Sequence, residues 1–201
     1  CFSELEMLFR VLNVSLINDR IIFLGDLVHK GPKSAEVLNF VYENQFEVIL
    51  GNHDDFFLYS LQEKVESYQE FKEILPQLKM GKNELINWYL KCPLFISQKD
   101  WLLIHGGIDP IGEVLQKEDR EILMNLRYWD AKKNQPVHSN GHDGQKPSWI
   151  PWYECLQKNI YKNKRIFYGH WAKKEVQIHA NGKIIGLDTG CCYGGKLSGY
   201  I

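Results

Sequence analysis

The 201-residue sequence carries little net charge, has few cysteines and contains no long apolar run. Its formal net charge is −1 and its lysines and arginines are scattered, so it lacks the basic face typical of polynucleotide-binding proteins. The five cysteines form no CxxC pair, which argues against a disulfide framework or a zinc knot and favours a reducing compartment. No segment approaches the roughly 20 apolar residues of a membrane helix, and the first residues lack a signal-peptide pattern. We therefore expect no polynucleotide partner, no membrane partner and a cytoplasmic location.

The amount of apolar sequence is that of an ordinary globular domain. Hydrophobic residues make up 44% of the chain and charged residues 24%. Because one domain usually takes about 150 residues, the length predicts a single domain over residues 1–201.

Four short apolar runs, at residues 21–24, 47–50, 101–104 and 165–168, are followed by Asp, Asn or His beside glycine. The polar residues in question are Asp26, Asn52, His53, His105 and His170. Helical periodicity lies between the first and second runs and between the second and third, and this alternation predicts an α/β fold. Ligand sites in such sheets form at the carboxyl ends of strands, so we expect these residues to converge on one site.

The residue types suit a metal-dependent phosphoesterase. Two metal ions about 3.5–4 Å apart can activate a water and neutralise phosphate oxygens. Asp26 offers a bridging carboxylate, Asn52 an amide oxygen, and His105 and His170 imidazole nitrogens that favour Mn, Fe or Zn over Mg. His53 can protonate the leaving oxygen as a general acid. A single Asp or His at a strand end often only bonds a turn amide, but four strand ends together favour a site.

Five segments resemble the calcineurin-like metallophosphoesterases of the protein-phosphatase type, and most of all their branch of bacterial symmetrical diadenosine tetraphosphatases. The segments are GDLVHKGP at 25–32, LGNHD at 50–54, HGGIDP at 105–110, YGHWA at 168–172 and LDTGCCYGGKL at 187–197. The resemblance runs from Cys1 to Ile201. It implies a β-sandwich flanked by helices, in four layers of the order α-β-β-α.

The resemblance also implies a set of roles at a dinuclear centre of divalent transition metals, Mn²⁺ first, with Fe, Zn or Co as alternatives. Asp26 would bridge the metals, the second metal would bind Asn52, His105 and His170, and His53 would be the catalytic acid. Lys30 and Arg127 would bind phosphate, and a surface salt bridge is an equal alternative for Arg127.

Two features depart from the family pattern. The sequence lacks the first strand and the GDxHG box that hold the first metal, so we expect an N-terminally incomplete domain with impaired activity. The GD box continues as His29-Lys30, where many relatives have an Asp that orients the catalytic His and an Arg that grips phosphate. Asp54 could orient His53 instead, but a helix N-cap is the favoured interpretation.

The implied activity is cleavage of dinucleoside tetraphosphates, such as diadenosine tetraphosphate, to nucleoside diphosphates. The expected partner is a small nucleotide. One alternative is a serine/threonine phosphoprotein phosphatase, and another is a degenerate module that binds phosphate or nucleotide without turnover. Aromatic residues that could stack on adenine are Trp129, Trp149, Trp152, Trp171 and Tyr193.

Local patterns give further expectations. Ser3 and Glu6 have capping-box spacing for a first amphipathic helix, and Asn83 is a candidate cap for a later one. Asn181-Gly182 predicts a tight hairpin. Residues 128–152 lack periodicity, which predicts a long surface loop or a lid.

Overall fold

A computed structural model describes residues 1–64, 68–112, 119–137, 146–156 and 163–201. The helices in this part of the chain are α1 (Phe2–Val11), α2 (Ser34–Glu43), α3 (Asn52–Leu61), α4 (Gln69–Ile74), α5 (Lys82–Tyr89), α6 (Arg120–Asn125) and α7 (Trp152–Cys155). The strands are β1 (Ile22–Phe23), β2 (Glu47–Val48), β3 (Phe95–Ser97), β4 (Trp101–Ile104), β5 (Tyr128–Asp130), β6 (Gln135–Pro136), β7 (Trp149–Pro151), β8 (Arg165–Tyr168), β9 (Gln177–His179) and β10 (Ile184–Gly186). The predicted α/β class is confirmed.

The strands form three sheets. β1 and β2 form a parallel pair, and the crossover helix α2 connects them. A five-stranded sheet has the order β3-β4-β8-β10-β9, in which β4, β8 and β10 are parallel and the two edge strands are antiparallel. A third, antiparallel sheet has the order β6-β5-β7. The carboxyl ends of the parallel strands therefore point to one side of the molecule, where the predicted site residues follow.

Successive residues of the central strands face two different apolar layers. Leu102 and Ile104 of β4 belong to a large core that also contains residues of α2, α3 and α5. Leu103 lies in a smaller cluster on the other face, with Phe167 of β8 and Ile49 beside β2. Burial on both faces explains why these strands are continuous apolar runs. Ile49 directly follows β2, and its N–H still donates to the carbonyl oxygen of Phe23 in β1. Because its side chain packs with Leu103 and Phe167, the two sheets share one apolar layer, as expected for a sandwich.

Both predicted helix caps are wrong. α1 begins at Phe2 with Cys1 as N-cap, so Ser3 and Glu6 form no capping box. α5 has Gly81 as its N-cap, not Asn83, and the Glu84 carboxylate accepts a hydrogen bond from the Gly81 N–H at 3.4 Å. Glycine is also a good N-cap, and in both helices the pattern of polar residues alone misplaced the boundary by two positions.

The segment predicted as a loop or lid contains the third sheet. β5, β6 and β7 are only two or three residues long, too short to show the alternation that identifies a strand. Trp129 and Trp152 are buried in the large core, so the ends of the segment are anchored. Residues 138–145, including His138 and His142, lie outside the described part of the chain.

The hairpin prediction is confirmed. β9 and β10 are antiparallel, and Asn181 and Gly182 between them have φ values of 55° and 81°. Both values lie in the left-handed region, which Asn and Gly tolerate best.

Candidate metal centre

The site begins where two turns meet, one after β1 and one after β2. Gly25 has φ = 90°, and a Cβ at this position would lie 2.6 Å from the backbone nitrogen of Gly51. Only glycine allows the two backbones to approach so closely. The backbone is also in the left-handed conformation at Asp26 and His170, with φ values of 57° and 59°. Non-glycine residues rarely adopt this conformation, and those that do cluster at functional sites.

Asp54 ties these two turns together. Its buried carboxylate accepts hydrogen bonds from the backbone N–H groups of Asp26 at 2.7 Å, Leu27 at 3.0 Å and Gly51 at 3.2 Å. The Tyr89 hydroxyl donates a further bond at 3.3 Å. Burial and the neighbouring Asp26 raise the pKa of Asp54 to about 7. Asp54 is therefore a residue of the first turn of α3 that holds the site together, and the prediction that it caps a helix starting at Asp55 is wrong.

The four predicted metal ligands lie together. Nε2 of His105 is 3.3 Å from Oδ1 of Asp26 and 3.1 Å from Oδ1 of Asn52. Nδ1 of His170 is 3.0 Å from the same Asn52 oxygen. One donor atom each from Asp26, His105 and His170 lie within 4.8 Å of one another. Residues from four separate strand ends thus share one small volume.

Backbone carbonyls determine which imidazole nitrogens face this volume. Nδ1 of His105 is 2.5 Å from the carbonyl oxygen of Leu24, and Nε2 of His170 is 3.1 Å from the carbonyl oxygen of Asn125. A carbonyl can only accept, so these two nitrogens carry the protons and the other nitrogen of each ring presents a lone pair. The lone pairs converge on the oxygens of Asn52 and Asp26, which are acceptors as well. With both rings neutral, four acceptors converge, and this set of ligand atoms fits one divalent transition metal, which would replace the proton that His105 otherwise shares with Asp26.

The pKa values agree with a site built for positive charge. Burial alone would raise the pKa of Asp26, but His105 and His53 hold it well below its ordinary value. Burial alone would lower the pKa of His105, but Asp26 raises it. Burial, with the charges of His105 and Arg127, lowers the pKa of His170 to about 2. His170 is therefore neutral near pH 7 and has its lone pair available for a metal.

His53 lies next to the metal ligands Asn52 and Asp26. Its backbone N–H donates to Oδ1 of Asp26 at 2.9 Å, whereas its ring packs against His29, with the two Nδ1 atoms 2.7 Å apart. Burial, partly offset by Asp26, lowers the pKa of His53 to about 4, and the charge of Lys30 contributes to this effect. Asp54 does not orient this ring, because its four hydrogen-bond partners lie elsewhere.

The two predicted phosphate-binding residues both line the cleft and have different partners. Lys30 is exposed, and its Nζ donates to the Tyr193 hydroxyl at 3.0 Å. Arg127 is half-buried, and its Nη2 donates to the carbonyl oxygen of His170 at 3.5 Å. The charge of Arg127 lowers the pKa of His170, and that of Lys30 lowers the pKa of His53. Both cations therefore act electrostatically on the site.

The aromatic candidates for base stacking differ in accessibility. Trp129 and Trp152 are buried. A lysine lies over the ring of each of the other three, Lys146 over Trp149, Lys173 over Trp171 and Lys30 over Tyr193. Tyr193 is 65% exposed and borders the same cleft as Lys30. Among the five, Tyr193 offers the most accessible ring near the metal ligands.

Sequence reasoning missed two contacts. The Asp54 interactions had a local signal, because Asp54 is three residues after Gly51, the spacing of a capping box. The contact between His29 and His53 had none, because the residues are 24 positions apart and meet only in the folded chain.

Comparison with known proteins identifies the family of the chain. The model of the calcineurin-like phosphoesterases matches residues 1–174, and the chain belongs to this family. Phosphoesterases of this family use pairs of divalent metal ions. No helix in the described part of the chain is long and apolar enough to cross a membrane.

The similar proteins point to one branch of the family. The chain is 29% identical to the symmetrical bis(5'-nucleosyl)-tetraphosphatase of Vibrio parahaemolyticus, over 98% of this chain and 90% of that protein. It is 30% identical to the protein of the same name from Coxiella burnetii, over 99% of this chain and 84% of that one. A solved structure named as a candidate diadenosine tetraphosphatase superposes with a TM-score of 0.74 and 23% identity, over 97% and 81% of the two chains. That last likeness supports the fold.

Replacing His170 with Ala should weaken Mn²⁺ binding by at least about tenfold, because it removes a neutral imidazole from the four converging acceptors. Titration calorimetry would measure the affinity. His179→Ala is the matched control, since that imidazole stacks on Tyr153 with ring centroids 3.8 Å apart. Equal affinities in the two variants would contradict the ligand role of His170.

Proposed function

We propose that this protein hydrolyses dinucleoside tetraphosphates symmetrically, releasing two nucleoside diphosphates, at a divalent metal centre held by Asp26, Asn52, His105 and His170. The observation that carries the metal centre is the convergence of the four side chains from separate strand ends, with ligand atoms of Asp26, His105 and His170 within 4.8 Å of one another. The substrate follows from the names of the relatives, which match almost the whole chain.

The metal is proposed to be Mn²⁺, with Fe, Zn or Co as alternatives, because two of the ligands are imidazoles and these suit transition metals better than Mg²⁺. Bound divalent ions would activate the attacking water and neutralise phosphate oxygens. A small nucleotide is the proposed partner, and the cytoplasm is the proposed location, in line with five cysteines that form no CxxC pair.

The residues of the chain divide the remaining tasks. His53 lies beside Asp26 and gives a proton from Nε2 to the leaving phosphate oxygen, since its Nδ1 is engaged by His29. A bound polyphosphate brings negative charge that raises the proton affinity of His53 from its low value in the free protein. Lys30 and Arg127 attract the phosphates.

The exposed ring of Tyr193 is the proposed contact for a nucleobase. Its hydroxyl accepts a hydrogen bond from Lys30, so the ring and one phosphate-binding cation are held in one unit. Stacking of a base on an aromatic ring contributes on the order of 1–3 kcal/mol. A polyphosphate that reaches from the metal ligands past Lys30 would bring its nucleoside to this ring.

The deciding experiment incubates the protein and Mn²⁺ with diadenosine tetraphosphate and separates the products by ion-exchange chromatography. We expect ADP as the sole product. Formation of AMP and ATP would refute symmetrical cleavage. A higher kcat/KM for a phosphoserine peptide would favour the phosphoprotein phosphatase, and binding of Mn²⁺ and nucleotide without turnover would favour the degenerate binding module.

A further inference from the structure

The ring of His53 rests on a second histidine. His29 lies in the turn after β1 with φ = 74°, and its Nδ1 is 2.7 Å from Nδ1 of His53. The two ring centroids are 4.7 Å apart. A left-handed conformation is unfavourable for histidine, so the surrounding structure must hold it in place.

Residues at the start of α4 hold the His29 ring. Tyr68 stacks on it, with centroids 5.0 Å apart and planes 9° from parallel, and Phe71 meets it edge-on at 5.6 Å. Oε2 of Glu70 is 3.7 Å from Nε2 of His29. The ring therefore has two aromatic contacts and one carboxylate on the side away from His53.

This arrangement determines where the protons lie. A carboxylate near Nε2 of His29 favours the tautomer that carries its proton on Nε2, because a carboxylate can only accept. Nδ1 of His29 then has a lone pair, and the short contact requires Nδ1–H of His53 to donate to it. Nε2 of His53 is then the ring nitrogen that His29 does not engage, and it is the one available to carry the catalytic proton.

We propose that His29 and Glu70 form a positioning pair that fixes the ring orientation and the tautomer of His53. This proposal rests on the proposed function in that His53 is the catalytic acid. The contacts of His29 with His53 and Glu70 are independent of that function. His29 is the histidine of the GDLVHKGP segment. It has no carboxylate, but its Nδ1 can accept the Nδ1–H proton of His53.

The activity test uses variants that respect the left-handed backbone. His29→Gly removes the acceptor without backbone strain at φ = 74° and should lower kcat by about tenfold to a hundredfold, with little change in KM. His29→Asp should recover most of kcat, because a carboxylate oxygen also lies one bond beyond Cγ and accepts from Nδ1–H. Glu70→Gln should lower kcat less than His29→Gly, because Glu70 is partly exposed and its contact is longer.

The matched control is His179→Ala, which removes an imidazole outside this arrangement and should leave kcat unchanged. Thermal unfolding of each variant shows whether it is folded. A His29→Gly protein that is folded and has wild-type kcat would overturn the proposal. So would failure of His29→Asp to exceed His29→Gly.

A second measurement does not depend on turnover. Long-range ¹H–¹⁵N correlation spectra of protein with ¹⁵N-labelled histidine report the tautomer of each ring. We expect His53 to carry its proton on Nδ1 in the wild type and in His29→Asp, and to shift towards a mixture of tautomers in His29→Gly. A wild-type His53 with its proton on Nε2 would overturn the positioning role even in an active enzyme. Absence of turnover together with the expected tautomers would overturn the proposed function alone.

Discussion

His53→Ala should lower kcat for diadenosine tetraphosphate by about 10²–10⁴-fold and leave the metal content near that of the wild type. The physical reason is that the hydrogen bond from His53 to Asp26 comes from the backbone N–H, which alanine retains, whereas the proton donor is in the lost ring. Steady-state kinetics gives kcat, and elemental analysis of the dialysed protein gives the metal content.

A substrate with a different leaving group separates acid catalysis from general damage to the site. p-Nitrophenolate leaves readily without a proton, so the loss on a p-nitrophenyl nucleotide ester should be much smaller than the loss on diadenosine tetraphosphate. Equal losses on both substrates would argue against proton donation. Loss of metal from the variant would show instead that His53 supports coordination.

Asp54→Ala should lower the free energy of unfolding by about 3–5 kcal/mol. The substitution leaves the buried N–H groups of Asp26, Leu27 and Gly51 without their acceptor, and each such group costs about 1–3 kcal/mol when unpaired. Since a domain has a total stability of about 5–15 kcal/mol, this single change removes a large part of it. Urea denaturation followed by circular dichroism measures the difference.

Two further variants define what Asp54 contributes. Asp54→Asn keeps an acceptor oxygen and should lose less stability than Asp54→Ala, in line with the raised pKa of this carboxyl group. Glu175→Ala is the matched surface control, because its pair with Lys196 is exposed and such pairs contribute at most about 1 kcal/mol. If Asp54→Ala were as mild as Glu175→Ala, Asp54 would not be what holds the two turns together.

Features that depend on neighbouring residues could be predicted from the sequence. The β9–β10 hairpin follows from Asn181-Gly182, and the central strands follow from apolar runs that are buried on both faces. Helix boundaries with more than one candidate cap and strands of two or three residues could not be predicted from the sequence. The N-caps are Cys1 and Gly81, not the predicted Ser3 and Asn83. The strands of the third sheet are too short to show alternation of apolar and polar residues.

The sequence by itself determined the class of fold and which residues belong to the candidate metal centre. It could do so because polar residues that directly follow parallel strands lie at the carboxyl ends of those strands. Asp26 and Asn52 therefore share one edge of the two-stranded sheet, and His105 and His170 share one edge of the five-stranded sheet. The packing of the two sheets then brings the two pairs together. Only the tertiary structure decided how those residues are used. The carbonyls of Leu24 and Asn125 determine which imidazole nitrogens of His105 and His170 are free to bind a metal. The ring of His29 contacts the ring of His53. These contacts join residues that are distant in sequence, so they depend on the relative placement of whole elements.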